Sequence, residues 1–206
     1  KSFHNYLGRA KDRHICAGYD WTLQHARTAM KALRSVNRGA GPKRQALPIN
    51  LDLLMNAVLP NGDEIREALD LFVVSCLFML REAELAALRV KHVHIDESSH
   101  TVAIYLAVSK TDTEARGCTR RWGCLCEGTP GAPCAYHSAK RQRERLMLIF
   151  RGDLDEDAHL FPARDGEGRT RQQTVDAFRL LAEAIGAPTA HEGRAISGHT
   201  ARVSGA

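Results

Sequence analysis

The sequence is poor in aromatic residues and has no long apolar run. Only 6% of its 206 residues are Phe, Trp or Tyr, although 44% are hydrophobic. Because β-sheet proteins draw heavily on aromatic and β-branched side chains, this composition favours a helix-rich globular protein over an all-β one. The longest predominantly apolar run, LFVVSCLFML at 71–80, has ten residues and is therefore too short to cross a membrane. We expect no membrane partner.

A secretory signal is also missing, which decides how the cysteines are interpreted. The first residues, KSFHNYLGRAKDRH, contain none of the apolar core that a signal peptide needs. The expected location is therefore intracellular, in the cytoplasm or the nucleus depending on the host. Six cysteines in such a protein indicate reduced thiols or metal ligands rather than disulfides.

Positive charge is concentrated at the N-terminal end of the chain. Residues 1–45 contain ten Lys or Arg and two acidic residues, whereas the remaining residues carry a small negative net charge. This asymmetry is typical of proteins that bind nucleic-acid phosphates, and a solvated helix face explains a run of charge equally well. If the partner is double-stranded DNA, the residues expected to contact it are Lys31, Arg34, Arg38, Lys43 and Arg44.

The spacing of apolar residues predicts a helical protein interrupted by one small sheet. A Gly/Pro-containing stretch at 39–50 without periodicity is the predicted linker. The helices predicted from periodicity and capping signals are 19–39, 51–59, 62–80, 82–88, 136–151 and 171–186. After residue 92 the period changes to two, which predicts strands at 93–96 and 101–110 and an edge strand within 118–126. The predicted fold class is α+β, mostly α, with a small antiparallel three-stranded sheet.

Five polar residues stand in positions that invite a functional explanation. Arg81 follows a run of mainly apolar residues, and Glu84 is spaced to orient it on a helix. Lys110 ends the second predicted strand, and His199 and Arg202 share one face of a helix predicted to open there. Taken singly, each has an ordinary explanation: a structural Arg–Glu bridge, a solvated hairpin lysine, or surface polar residues.

Taken in order, these residues resemble the catalytic domain of the tyrosine recombinase, or phage integrase, family. The matching stretches are FMLREAELAALRV, then VSKTD on a strand, then GHTAR at the start of a helix. The resemblance covers about 47–206, and residues 1–46 look like the tail of the family's helical core-binding domain and its linker. It implies that the catalytic residues are Arg81, Lys110, His199 and Arg202, with Glu84 supporting the first arginine.

The resemblance also implies a reaction: DNA strands are cut and rejoined through a 3′-phosphotyrosyl link. The two arginines would neutralise charge on the phosphate oxygens. Lys110 would protonate the leaving 5′-oxygen, and His199 would assist proton transfer. No cofactor is required for this chemistry. The expected partner is double-stranded DNA, on which copies of the protein associate with one another.

The tyrosines depart from the family pattern. They are Tyr6, Tyr19, Tyr105 and Tyr136, and none follows His199, where the family's nucleophile lies. Tyr105 in mid-strand and Tyr136 beside candidate metal ligands are not expected to reach the bound phosphate. We therefore expect a chain truncated before its nucleophile, which binds DNA without cleaving it. The alternative is a non-catalytic DNA-binding module stapled by zinc.

A second group of residues has the spacing of metal ligands. CLC at 124–126 and CAYH at 134–137 offer three thiolates and an imidazole, which suit a tetrahedral zinc ion. Free cysteines in a loop are an equally weighted alternative. The residues expected to bind this structural zinc are Cys124, Cys126, Cys134 and His137.

The remaining cysteines and two histidines have simpler interpretations. Cys118 is a substitute candidate for the zinc site, whereas Cys16 and Cys76 suit packing. His92 and His94 alternate with apolar neighbours, so both are expected on the solvent face of a strand and not as ligands.

Overall fold

The chain divides into two compact units, Lys1–Arg44 and Gln45–Ala206. The computed structural model describes residues 3–39, 45–60, 62–107, 116–126 and 133–206. The division lies close to the boundary predicted after residue 46, while the assignment of the first unit to a core-binding domain stays a prediction. Of the predicted linker, the described part at 45–50 has no regular secondary structure.

The first unit contains two helices, α1 (Phe3–Cys16) and α2 (Leu23–Gly39). α2 corresponds to the helix predicted at 19–39 and begins later, because Thr22 caps it: the Thr22 hydroxyl accepts a hydrogen bond from the His25 backbone N–H at 3.4 Å. α1 was not predicted, since its many polar residues leave little apolar periodicity. Cys16 is exposed at the end of α1, so the packing role predicted for it is wrong.

A buried helix, α4 (Asp63–Leu77), forms the centre of the second unit. It follows the short helix α3 (Leu51–Asn56), and every residue from Ala68 to Cys76 is buried. Burial on all sides means that other elements surround this part of α4. The helices that pack against it are α6 (Ala135–Ile149), α7 (Arg171–Ala184) and α8 (Thr200–Ser204).

The sheet has three antiparallel strands in the order β1 (Val93–Asp96), β2 (Thr101–Leu106) and β3 (Cys118–Gly123). β3 is therefore an edge strand, as predicted. Cys118 pairs with Leu106 at one end of the β2–β3 ladder, and Gly123 pairs with Thr101 at the other. β2 ends earlier than the predicted 101–110, and residues 108–110 lie outside the described part of the chain.

Two hydrogen bonds fasten the start of the second unit to its last elements, one to a short hairpin and one to α8. A short hairpin of β4 (Ala190–His191) and β5 (Arg194–Ala195) leads into it. The Leu47 N–H donates to the Ala195 carbonyl at 3.0 Å, and the Ile49 N–H donates to the Ser204 hydroxyl at 2.9 Å. The second bond ties α8 to the segment before α3, and α8 also packs against α4.

The predicted fold class is confirmed as α+β, mostly α, with a small three-stranded antiparallel sheet. The apolar run at 71–80 belongs mainly to α4 and the core of the second unit. Among the described residues, no helix combines the length and the apolar character needed to cross a membrane.

Candidate functional site

Arg81 lies at the junction between α4 and α5 (Glu82–Ala86), where it is the N-cap residue of α5. Glu84 holds it at two points. One Glu84 carboxylate oxygen accepts from the Arg81 backbone N–H at 2.9 Å, and the other accepts from the guanidinium Nη1 at 2.6 Å. The Glu84 side chain is 6% exposed and that of Arg81 is 22% exposed. The guanidinium is therefore fixed in direction while part of it stays open to solvent.

The turn that leads into Arg81 is held from the sheet. Met79 has a left-handed backbone (φ 54°), which ends α4 and allows a new helix to start three residues later. The Arg120 guanidinium, on β3, donates to the Phe78 carbonyl and, at 3.3 Å, to the Met79 carbonyl. Arg120 thus supports the position of Arg81. This role of Arg120 was not predicted from the sequence, because the pattern of an edge strand does not show which distant backbone carbonyls a side chain contacts.

The turn that carries His199 packs against Glu82, the residue after Arg81. His199 Nδ1 lies 3.8 Å from Glu82 Oε2, and the His199 side chain is 58% exposed. A Cβ added to Gly198 would lie 2.8 Å from the Glu82 carboxyl carbon, so this turn rests directly on the Glu82 side chain. Arg171 Nε, on α7, lies 3.7 Å from the other Glu82 oxygen. Glu82, which the sequence did not single out, therefore links the start of α5 to the His199 turn.

Arg202 lies on α8, beside the end of α4. A Cβ added to Gly205 would collide with the Cys76 carbonyl and would lie 3.1 Å from Met79 Sδ. α8 is therefore packed against the residues that lead into Arg81. Arg202 is partly exposed, and within the described chain its side chain makes no hydrogen bond or ion pair. Its guanidinium is available to an anion.

A cavity of about 540 Å³ opens beside Arg81. Its walls include Arg81 before α5, Glu84 on α5, His92, and Tyr105 on β2, and the other described residues that line it are apolar. Tyr105 thus shares a cavity with Arg81, which the prediction that this tyrosine lies out of reach did not anticipate. Its hydroxyl is directed at the β2–β3 connection, because a Cβ added to Gly117 would lie 2.6 Å from it.

The other predicted catalytic residues are placed differently. His199 and Arg202 are not among the described residues that line the cavity, although their turn and helix flank the same α4–α5 junction. Ala107, at the end of β2, does line it. Lys110 follows three residues later and lies outside the described residues, so its catalytic role stays a prediction.

His92 belongs to a 3-10 turn (Val90–His92) and not to a strand. Its Nδ1 accepts a hydrogen bond from the Arg89 backbone N–H at 3.2 Å. Burial, followed by the charges of Lys91 and Arg89, lowers the pKa of His92, so a neutral imidazole is favoured in the cavity wall. His94 is exposed on β1, as predicted.

Two of the residues predicted to contact DNA are exposed on α2 in the first unit. These are Lys31 and Arg34. Arg38 also lies on α2, with its side chain outside the described part of the structure, and Lys43 and Arg44 lie outside the described residues altogether. Exposure of basic side chains permits phosphate contact, and the DNA-binding role of all five stays a prediction.

Three cysteines and a histidine meet where β3 ends and α6 begins, and their ligand atoms all lie within 4.8 Å of one another. The Cys124 and Cys126 sulfurs are 3.1 Å apart, and His137 Nδ1 lies 2.9 Å from the second sulfur and 3.7 Å from the first. Ligands at about 2.0–2.3 Å from a tetrahedral zinc ion are separated by about 3.5–3.8 Å. Cys118, exposed at the far end of β3, is not part of the group. We call this group the Cys/His cluster: Cys124, Cys126, Cys134 and His137.

The cysteines of the cluster differ in their tendency to ionise. Burial, the largest effect, raises the pKa of Cys134, but hydrogen bonds from the backbones of His137 and Leu125 outweigh it and lower the value to about 6. Burial raises the pKa of Cys126 to about 12. The backbone therefore stabilises one thiolate in advance, which is the form that binds a metal ion.

Comparisons with known proteins leave the function to be argued from these residues. No protein-family model matches the sequence. No curated protein matches it either. Among solved structures, the crystal structure of XerA recombinase is similar, with a TM-score of 0.43 and 17% sequence identity, over 97% of this chain and 66% of that chain. The protein thus spans 66% of the length of that recombinase chain.

Proposed function

We propose that this protein binds the backbone of double-stranded DNA, with Arg81 at the centre of a strand-exchange site of the tyrosine recombinase type. The basic first unit supplies affinity that is independent of sequence. Association of several copies on one duplex belongs to the same proposal. The nucleophilic tyrosine of this chemistry is not assigned to any of the four tyrosines.

The observation that carries the proposal is the way Arg81 is presented. Its guanidinium is held by Glu84, its side chain is 22% exposed, and the residue borders a cavity of about 540 Å³. An arginine held in this way presents its guanidinium in a fixed direction, and the planar guanidinium is the group with which arginine recognises phosphodiesters. A purely structural bridge would explain the contact with Glu84 but not the open cavity.

Arg202, His199 and Lys110 take the remaining roles in this proposal. Arg202, without a partner among the described side chains, would share the charge of the phosphate oxygens with Arg81. His199 is exposed and lies 3.8 Å from the Glu82 carboxylate, where its imidazole could reach a bound phosphodiester and transfer a proton. Lys110 would protonate the leaving 5′-oxygen.

Replacing the arginine tests the proposal. Arg81→Gln should weaken binding to an arbitrary duplex about tenfold or more, because a charge-assisted phosphate contact is lost. The matched control is Arg179→Gln on α7, where the arginine meets Asp176 on the surface at 3.2 Å, and its affinity should equal that of the parent. Fluorescence anisotropy measures both, with urea unfolding as the check that each variant is folded. Equal affinity of Arg81→Gln and the parent would refute the proposal.

The second candidate function is a non-catalytic DNA-binding module, and the Cys/His cluster is the observation that favours it. A metal staple is useful to a small binding domain and has no part in recombinase chemistry. Such a module needs no cooperation between Arg81 and Arg202, whereas a catalytic phosphate site does. The two functions therefore differ in whether these two arginines act on the same phosphate.

A further inference from the structure

The ligand atoms of the Cys/His cluster come from two parts of the fold, the end of the sheet and the start of α6. Cys124 directly follows β3, and its N–H donates to the His100 carbonyl at 2.8 Å, so it is fixed to the sheet. Cys134 is the N-cap residue of α6, and His137 lies in the first turn of that helix. Two ligands thus belong to the end of the sheet and two to the start of a core helix.

The donor set selects a class of metal. Three sulfurs and one imidazole nitrogen around a single point match the tetrahedral coordination of structural zinc, whereas magnesium and calcium require oxygen ligands. Cys126 and Cys134 are 7% and 0% exposed. Such burial suits a closed structural site better than a catalytic site with an open position. The 3.1 Å between the Cys124 and Cys126 sulfurs is far beyond a disulfide bond of about 2.0 Å.

The strand beside the cluster contacts the core through few side chains, chiefly Trp122, which packs against it, and Arg120, which reaches the end of α4. No residue of β3 (Cys118–Gly123) is buried, and only Arg120 and Trp122 are partly covered. An edge strand with so little apolar burial depends on its ladder hydrogen bonds with one neighbour. α6, by contrast, packs along α4 and buries Tyr136, Ala139 and Leu146. A link to α6 would therefore add a further fixed point between an exposed edge strand and the core.

We propose that the Cys/His cluster binds one Zn²⁺ ion, which fastens the end of edge strand β3 to the start of α6. Zinc binding would then position β3 and with it Arg120, whose guanidinium holds the carbonyls that precede Arg81. The metal site stands independently of the proposed function, because its argument uses neither DNA nor catalysis.

Metal analysis of the full chain tests the site directly. The protein is incubated with Zn²⁺, passed through gel filtration and measured for zinc, with about one equivalent expected. Cys134→Ser should retain much less, while Cys118→Ser and Cys16→Ser, which change exposed thiols outside the cluster, should bind as the parent does. Less than about a tenth of an equivalent in the parent, or full binding by Cys134→Ser, would overturn the site.

Cobalt substitution keeps the test valid if Cys134→Ser does not fold. Co²⁺ bound to the parent chain should give the intense visible bands of tetrahedral cobalt together with thiolate charge transfer, and Zn²⁺ should displace it. The weak spectrum of octahedral cobalt would overturn the assignment.

Hydrogen exchange tests the fastening. On removal of zinc with a chelator, amides of β3 should exchange about tenfold faster or more, while those of α7 should keep their rates. Unchanged exchange in β3 would contradict the proposed role even if zinc binds.

Discussion

Glu84 decides which way Arg81 can point. The carboxylate contacts both the backbone N–H and the guanidinium of the same residue, and its side chain is 6% exposed. A bridge of this kind between a buried acid and a partly open arginine stabilises the start of α5 and restricts the guanidinium to one direction. The stability of the α4–α5 junction and the presentation of Arg81 therefore depend on one side chain.

Glu84→Gln should lower the free energy of unfolding by about 1–3 kcal/mol, because hydrogen bonds to a charged partner are weakened in a buried position. The matched control is Glu97→Gln, since Glu97 meets Lys140 at 2.9 Å with a side chain that is 70% exposed. The control should change stability by less than about 0.5 kcal/mol. Urea unfolding compares the two, and equal midpoints would contradict the role given to Glu84.

Single contacts differed in how far the sequence could predict them. The Arg81–Glu84 contact followed from spacing, because residues three apart on a helix are neighbours. The contacts of Glu82 with the His199 turn and of Arg120 with the end of α4 could not be predicted, since each joins elements far apart in the chain. The local periodicity of a sequence contains no information on contacts between elements that are distant in the chain.

At the scale of elements, α4 and α6 are joined by a buried ion pair. Asp70 on α4 is fully buried and accepts hydrogen bonds from the Arg141 guanidinium at 2.6 and 3.1 Å, with Arg145 Nη2 at 3.5 Å. Burial raises the pKa of Asp70, while the hydrogen bond and charge of Arg141 and the charge of Arg145 act in the opposite direction. The carboxylate is thus tolerated in the core through its arginines.

Arg141→Gln should destabilise the protein by about 2–3 kcal/mol at neutral pH, since it leaves a buried charge with one weaker partner. The loss should shrink as the pH falls. Without Arg141 the folded-state pKa of Asp70 lies further above its unfolded value, so protonation at low pH favours the folded variant. The control is Arg179→Gln, which breaks an exposed ion pair. It should lower the free energy of unfolding by less than about 1 kcal/mol at any pH. Urea unfolding across a pH series measures the loss of stability. If the loss caused by Arg141→Gln grows as the pH falls, the expectation is contradicted.

Elements with strong patterns were predicted well, and short or charged ones were not. α4 and α7 followed from continuous apolar character and from the Thr170 cap, whose side chain accepts from the Gln173 N–H at 3.3 Å. α1 mixes polar and apolar residues too much to show an apolar face in its sequence. The β4–β5 hairpin has only two residues in each strand, which is too short for a pattern of alternating apolar and polar residues.

At the scale of the whole molecule, positive charge is divided unevenly between the two units. The first unit has a strongly basic composition, and Lys31 and Arg34 are exposed on α2. Phosphate contacts from such residues release counterions, so the affinity for DNA falls linearly with salt on logarithmic axes. Under the proposed function, this unit would add affinity for DNA without taking part in the proposed chemistry at Arg81.

Neutralising Lys31 and Arg34 together should reduce the slope of log affinity against log salt by up to about 2, because each lost phosphate contact removes about 0.9. The paired control is Arg143→Gln with Arg179→Gln on the second unit, which should leave the slope as in the parent. The slope is measured from the binding of an arbitrary duplex over a series of salt concentrations. An unchanged slope in the Lys31 and Arg34 variant would rule out the role assigned to α2.

The central claim is that Arg81 and Arg202 hold the same phosphate, and a double-mutant cycle tests it most directly. Duplex affinity is measured at one salt concentration for the parent, Arg81→Gln, Arg202→Gln and the double variant, with Arg81→Gln and Lys31→Gln as a control pair. The account predicts a coupling energy of about 1 kcal/mol or more between the two arginines and additive effects in the control pair. Additivity of Arg81→Gln and Arg202→Gln to within about 0.5 kcal/mol would contradict it and favour the binding module.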